Sequence, residues 1–152
     1  MILFSQLPPH LHYHISLFIY KFAISDLGVL HYFLGISNTH SSSSLFFSQS
    51  EYARELLVYC HMSTTNSVST PVDSKYKFLS TDGDPLFDAT KFRSIVGALQ
   101  YLTFTRPDLT FTIQQVCLFM SAPRTSHMKV VKRILRYLKG TIDDGILLSQ
   151  DP

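Results

Sequence analysis

Charge, cysteine and long apolar runs are all scarce in this sequence. Charged residues make up 16% of its 152 residues, against ~25% in ordinary soluble domains. We therefore expect part of its apolar surface to be covered by neighbours outside this chain. The net charge of +2 is too small to indicate a nucleic-acid partner by itself, so such a prediction depends on where the charges lie.

The two cysteines, Cys60 and Cys117, belong to no C-x-x-C pair and have no histidine at zinc-finger spacing behind them. This spacing argues against a disulfide framework and a zinc finger, and we expect two reduced, buried thiols. The longest apolar stretch, residues 15–24, has about half of the ~20 residues that a membrane span requires. No basic cluster precedes an apolar run near Met1, so we expect neither a secretory signal nor a transit peptide, and no membrane partner.

Hydrophobic spacing predicts an α+β fold, in which a small β-hairpin region precedes a helical bundle. Apolar residues recur at helical spacing between residues 15 and 22 and predict a short helix. Two β-rich runs, 30–36 and 45–49, predict a hairpin around a long polar loop at 38–44. We assign this hairpin and its flanking helices to a first region, residues 1–62.

A helix is predicted after the hairpin, because Ser48 and Glu51 have the spacing of a capping box and an apolar stripe follows as far as Cys60. Residues 63–88 contain Thr-Pro, Asp-Gly and Asp-Pro pairs and little periodicity. They are predicted to form an extended, partly disordered linker.

Residues 89–152 are predicted to be mainly helical. One apolar stripe runs through residues 89–104, a second begins after Pro107, and a third covers residues 126–140, where Gly140 is a natural residue to follow a helix. Residues 146–148 are predicted to form a short closing strand. Three consecutive amphipathic helices with short turns indicate a small helical bundle.

The non-core face of helix 89–104 is unusual, because it carries a glycine and aromatic side chains. Its members at helical spacing are Arg93, Gly97, Gln100, Tyr101 and Phe104. Glycine inside a helix costs about 1 kcal/mol relative to alanine, so a reason for it is expected. Close approach of a duplex backbone is one explanation, and close packing of another helix, with Tyr101 in a second core, is the other.

The last predicted helix has a basic face. Five cations fall within about a third of its circumference: Lys129, Lys132, Arg133, Arg136 and Lys139. Such a face binds phosphates or is simply solvated, and spacing leaves both readings open.

Two apparent catalytic signals are weak. His10, His12 and His14 alternate, but no carboxylate precedes Asp26, so chance explains them better than a metal site. Asp143 and Asp144 lie between two glycines, where a solvated turn is expected. The residues therefore predict no catalytic group and no metal site.

Five blocks of this sequence resemble, in order, the reverse transcriptase region of copia-type (Pseudoviridae-like) retrotransposon polyproteins. They are DLGVLHYFLGI at 26–36, FSQSEY at 47–52, VSTPVD at 68–73, FRSIVGALQYLTFTRPDL at 92–109 and VKRILRYLKGT at 131–141. The chain departs from the family pattern at Ser25, where a lysine is usual, and at Met128, where a tryptophan commonly follows His127. A truncated or decayed copy of an element explains these departures.

The resemblance implies the palm edge, the thumb and the start of the connection of a reverse transcriptase. In that family the catalytic carboxylates lie in a Tyr-x-Asp-Asp motif upstream of the block that begins at Asp26, and no residue before Asp26 here is acidic. Two-metal phosphoryl transfer needs such carboxylates. We therefore expect no cofactor in this chain, with Mg²⁺ held by the complete enzyme, and an RNase H region outside it.

The resemblance also implies specific binding residues. The hairpin with Tyr32, Phe33, Leu34 and Gly35 is similar to the primer grip, and helix 89–104 is similar to the thumb helix along the minor groove of the template–primer. The shallow minor groove of an RNA:DNA hybrid admits side chains without demanding sequence. The residues expected to bind an RNA:DNA or DNA duplex are Arg93, Gly97, Gln100, Tyr101, Lys129, Lys132, Arg133 and Arg136.

We therefore predict a fragment of a retrotransposon polyprotein reverse transcriptase, non-catalytic alone, that retains template–primer binding. Its expected partners are the duplex and the remaining polymerase and RNase H regions. The alternatives are part of a complete, active reverse transcriptase/RNase H polyprotein and a pseudogene product without function. The expected location is intracellular, cytoplasmic or nuclear, and a copy encoded in a mitochondrial genome fits the resemblance too.

Overall fold

The computed structural model describes residues 17, 20–22, 31–41, 43–73 and 82–149. They belong to two compact units, residues 1–34 and residues 35–152. In the first unit, residues 17 and 20–22 are helical, within the span predicted as a helix. Strand β1 (Tyr32–Phe33) of this unit is exposed. The alternating histidines and Ser25 lie outside the described residues.

The described part of the second unit combines antiparallel strands with helices. The strands are β2 (Ile36–His40), β3 (Ser44–Ser48) and β4 (Gly145–Ser149). Strand β3 lies between the other two, with Asn38 opposite Phe47 and Phe47 opposite Ile146. The helices are α1 (Ser50–Tyr59), α2 (Thr90–Leu102), α3 (Pro107–Cys117) and α4 (Thr125–Gly140). The predicted α+β class is confirmed.

The four helices share one hydrophobic core. Phe92 and Leu99 of α2, Ile113 of α3 and Leu138 of α4 are at most 1% exposed, and Leu57 of α1 belongs to the same cluster. Burial of an apolar side chain of this size stabilises the fold by about 1.5–3 kcal/mol. The apolar stripes at helical spacing therefore hold the helices together and leave their polar faces outward.

The hairpin prediction was wrong in the bounds of its first strand and of its loop. Strand β2 begins at Ile36, where the predicted first strand ends, and continues to His40, so residues 38–40, predicted as loop, belong to a strand. The φ angles of Leu34 and Gly35 are 48° and 77°, the left-handed pair typical of a tight turn. Because leucine rarely adopts positive φ, spacing alone does not reveal this break in the extended run.

Two predicted helix signals were also wrong. Gln49, not Ser48, is the N-cap of α1, and no side chain caps the helix. Gly140 is the last residue of α4 and has no left-handed φ. A Cβ atom on Gly140 would lie 3.0 Å from the Cβ atom of Ser67, so close approach of another segment explains this glycine better than helix termination.

The described parts of the predicted linker 63–88 lie against α4. Val68 donates its N–H to the Arg136 carbonyl over 3.4 Å. Further along, Thr125 donates to the Asp84 carbonyl over 2.9 Å. Residues 74–81 lie outside the described part. The boundaries at 1–62, 63–88 and 89–152 stay a prediction.

Cys60 and Cys117 are free thiols, as predicted, but half-buried instead of buried. Burial raises the pKa of both thiols, which keeps them protonated and weakly nucleophilic at neutral pH. Within the described ranges, no helix is long and apolar enough to cross a membrane.

Candidate nucleic-acid interface

Gly97 lies in the middle of α2 and faces outward. A Cβ atom built on it meets nothing within 4 Å among the described residues. Close packing of another described helix therefore does not explain this glycine. The neighbouring Ala98 does pack against the core, and its carbonyl accepts a hydrogen bond from the Tyr52 hydroxyl over 3.2 Å.

A groove of about 440 Å³ runs between α2 and α3 beside Gly97. Gln100 and Tyr101 line its α2 side, and Thr110 and Gln114 line its α3 side. We call this surface the α2–α3 groove. Its amide and hydroxyl groups both donate and accept hydrogen bonds, which suits sugar hydroxyls and phosphate oxygens. Such contacts position a duplex without reading its sequence.

Tyr101 is held in a fixed orientation at the edge of this groove. Its ring makes edge-on contacts with Tyr52, at 5.0 Å between centroids, and with Phe104, at 5.7 Å. A Cβ atom on Gly35 would lie 3.6 Å from Tyr101 Cε1. Burial, followed by the charges of Tyr101 and Glu55, raises the pKa of Tyr52, which therefore stays a neutral donor. Tyr101 therefore packs against neighbouring rings and also lines the groove, and its predicted contact with a duplex stays a prediction.

Arg93 has internal partners. Its Nε donates to the Met120 carbonyl over 2.8 Å, and its Nη2 donates to the Ser121 carbonyl over 3.3 Å. These bonds tie α2 to the segment that follows α3. Arg93 does not line the α2–α3 groove, and its predicted role in binding stays a prediction.

The basic face of α4 divides into covered and exposed cations. The segment of residues 65–73, here called the strap, crosses this face. Lys129 and Lys132 are exposed, whereas Arg133 and Arg136 are partly buried. Spacing predicted one continuous face, so the division by a distant segment is a finding of the structure.

Three of the α4 cations bind the strap. Arg136 Nε donates to the Asn66 carbonyl over 2.8 Å, and Lys139 Nζ donates to the Thr65 carbonyl over 2.6 Å. Arg133 Nη2 donates to Thr70 Oγ1 over 3.0 Å, and its Nη1 is 3.5 Å from Asp73 Oδ2. These cations therefore stabilise the fold, whatever else they bind.

Sequence reasoning missed Arg106, whose side chain is 3% exposed. Its Nε and Nη2 donate to the two Asp108 carboxylate oxygens over 3.0 and 2.7 Å, and its Nη1 donates to the Thr141 carbonyl over 2.6 Å. This network joins the start of α3 to the end of α4. Arginine followed by the first-turn pair Pro107 and Asp108 is the signal that was available, because a carboxylate is favoured there.

The predicted solvated turn at Asp143 and Asp144 is confirmed, since both residues are exposed. Asp143 accepts a hydrogen bond from Arg54 over 2.7 Å, and Asp144 lies 4.0 Å from Arg106 Nη2. Within the described residues, no three His, Cys, Asp or Glu side chains form a group that could hold a metal ion.

The four residues expected to resemble a primer grip lie at the tight turn. Tyr32, Phe33 and Leu34 are exposed by 60%, 58% and 68%, and Gly35 has the positive φ noted above. Their predicted role is not tested by these observations and stays a prediction.

Comparison with known proteins places the chain within a class of mobile-element polyproteins. It is 42% identical over 130 residues to the retrovirus-related Pol polyprotein from transposon RE1 of Arabidopsis thaliana, a match that covers 86% of this chain and 9% of that polyprotein. It is 35% identical over 143 residues to the corresponding polyprotein from transposon TNT 1-94 of Nicotiana tabacum, covering 87% of this chain and 11% of the relative. No protein-family model and no solved structure matches it.

A third relative is shorter. An uncharacterized mitochondrial protein of Arabidopsis thaliana is 44% identical over 131 residues, covering 86% of this chain and 54% of that protein. The chain belongs to the copia-type retrovirus-related Pol polyproteins. It spans about a tenth of the long polyproteins and about half of the mitochondrial relative.

Proposed function

We propose that this chain is the reverse transcriptase portion of a copia-type polyprotein that holds a template–primer duplex, without itself carrying catalytic groups. The observation that carries the proposal is Gly97, a helix-interior glycine that faces open space. An alanine there would stabilise α2 by about 1 kcal/mol. No described neighbour requires the glycine, and close approach of a duplex backbone would supply a physical reason for it.

The chemistry of the α2–α3 groove favours a duplex over a protein as that partner. Gln100 and Gln114 place amide groups on opposite sides of it, and Tyr101 adds a flat ring in a fixed orientation. An RNA:DNA hybrid presents sugar hydroxyls and a shallow minor groove to such a surface. A protein partner would instead favour a larger apolar centre in the groove.

The partners of the described carboxylates support the proposal that this portion is non-catalytic. Asp108 and Asp143 form ion pairs with arginines, and the described carboxylates form no metal-binding group. A polymerase step through Mg²⁺ needs paired carboxylates. We therefore assign Mg²⁺ and bond formation to another part of the polyprotein, and holding the substrate to this one.

Substitution of Gly97 tests the proposal. Gly97→Ala should raise the free energy of unfolding by about 0.5–1 kcal/mol, because it removes the glycine penalty where space is available. It should weaken binding of an RNA:DNA hybrid several-fold, and Gly97→Leu should weaken it further. Fluorescence anisotropy with a labelled hybrid measures binding, and urea denaturation measures stability.

Ser94→Ala is the matched control, since Ser94 is exposed on α2 outside the groove. It removes only a long, exposed contact of 3.4 Å with the Tyr59 hydroxyl and should leave hybrid affinity unchanged. Equal hybrid affinity for the parent chain, Gly97→Ala and Gly97→Leu would refute the assignment of the groove. No detectable hybrid binding by the parent chain at low salt would refute the function itself.

A further inference from the structure

A second, basic cavity lies between the strap and α4. It has a volume of about 360 Å³, and Lys129, Lys132, Arg133 and Arg136 line it together with one carboxylate, Asp73. The described lining of the cavity thus has four positively charged side chains and one negatively charged side chain. Such an excess of positive charge in a concave site favours an anionic ligand.

The contact between Arg133 and Asp73 is long, which indicates that another anion can replace Asp73. Its Nη1 is 3.5 Å from Asp73 Oδ2, longer than the 2.7–2.9 Å typical of a strong charge-assisted bond. Its Nε is buried and bonds to none of the described residues. The guanidinium thus holds Asp73 loosely and has donor capacity left over, whereas the Arg136 bond to the strap is short, at 2.8 Å.

We propose that this cavity is a binding site for a phosphate group, and that Asp73 competes with the ligand for Arg133. The phosphate displaces the Asp73 carboxylate, receives the Arg133 guanidinium, and is approached by the exposed ammonium groups of Lys129 and Lys132. Arginine suits this role because its planar fork donates two parallel bonds to a phosphate. Arg136 keeps its hydrogen bond to the Asn66 carbonyl of the strap and so maintains the shape of the cavity.

The inference rests on the proposed function for the source of the phosphate, which is the backbone of the bound duplex. The cavity adds a contact that sequence spacing did not predict, since it depends on the strap as well as on α4. The inference also predicts that Asp73 of the strap competes with phosphate for Arg133. Loss of the Asp73 charge should therefore strengthen phosphate binding.

The test uses inorganic phosphate as the first probe and a labelled RNA:DNA hybrid as the second. Phosphate titration should shift the NMR signal of the Arg133 Nε–H group, and Asp73→Asn should tighten phosphate binding about two- to fivefold, the range expected for a partly exposed ion pair. Lys129→Gln with Lys132→Gln should weaken it. Hybrid affinity should change in the same directions.

Two controls separate charge competition from other effects. Thr70→Val removes the Arg133 hydrogen bond to Thr70 without changing charge, and Asp143→Asn removes an exposed carboxylate that lines no part of this cavity. Neither should tighten phosphate binding. If Asp143→Asn acts as strongly as Asp73→Asn, or if phosphate leaves the Arg133 signal unchanged, the site is refuted.

The two probes also separate this inference from the proposed function. Hybrid binding that responds to Gly97→Leu but not to Asp73→Asn would leave the function standing and overturn the phosphate site as a duplex contact. Phosphate binding that responds to Asp73→Asn while the hybrid does not bind would keep the cavity, overturn the proposed function and identify free phosphate compounds as the source.

Discussion

Replacement of Arg106 by alanine should be far more destabilising than replacement of Arg54. Both arginines form ion pairs with aspartate, but the Arg106 side chain is 3% exposed and that of Arg54 is 44% exposed. Breaking a buried pair typically costs about 3–5 kcal/mol. Because Asp108 is 37% exposed and can regain water, we expect a smaller loss of about 2–4 kcal/mol for Arg106→Ala.

Arg54→Ala should cost less than about 1 kcal/mol, since its partners Glu51 and Asp143 are mostly solvated. Arg106→Lys should recover only a small part of the loss, because an ammonium group cannot serve both Asp108 oxygens and Thr141 at once. Urea denaturation followed by circular dichroism gives the free energies of unfolding, provided that the transition is two-state. Equal losses for Arg106→Ala and Arg54→Ala would refute the role given to the buried network.

Three further predictions follow from named contacts. Burial acts to raise the pKa of Asp108, but the hydrogen bond and charge of Arg106, together with hydrogen bonds from Tyr137 and the backbone, lower that pKa overall. The stability that Asp108 contributes is therefore complete above its unfolded pKa of about 4 and is lost as the pH falls through the lower folded value. Unfolding midpoints between pH 6 and pH 2 should therefore fall more steeply for the parent chain than for Asp108→Asn. Gly145→Ala should lower the free energy of unfolding by about 1–3 kcal/mol, because the new Cβ atom would collide with the Phe47 carbonyl and lie 2.9 Å from the Phe46 ring. Thermal melts measure this loss, and an unchanged melting temperature would contradict the packing. Lys129→Gln with Lys132→Gln should reduce the slope of log affinity for a hybrid against log salt by about 1–2 without lowering the melting temperature, and an unchanged slope would exclude both lysines from phosphate contact.

The helices of the second unit were largely predictable because their signals are local. An apolar stripe predicted residues 89–104, and α2 spans Thr90–Leu102. Pro107 opens α3, as its fixed φ and missing N–H favour. The third stripe, predicted over 126–140, became α4, Thr125–Gly140.

Contacts between distant residues could not be predicted in the same way. Spacing placed the α4 cations on one face but carried no information that the strap would cross it, since Arg133 and its partner Asp73 lie 60 positions apart. Similarly, Gln49 occupies the N-cap position of α1 without capping it, and its side chain instead accepts a hydrogen bond from the distant Thr105 over 2.8 Å. The sequence therefore predicted which faces of the helices are basic or apolar, but not which distant residues contact those faces.

The residues that carry the family resemblance divide into two groups once their contacts are known. Thr105 and Arg106, in the block at 92–109, bond to Gln49 in an earlier block and to Thr141 in a later one. A fold that needs these bonds would keep such blocks together even without a ligand, so the blocks alone do not argue for binding. Gly97 lies in the same block and touches no described neighbour. Gly97 lowers the stability of the helix relative to alanine and is not needed for packing of the described core. It is therefore the residue that argues for a binding partner.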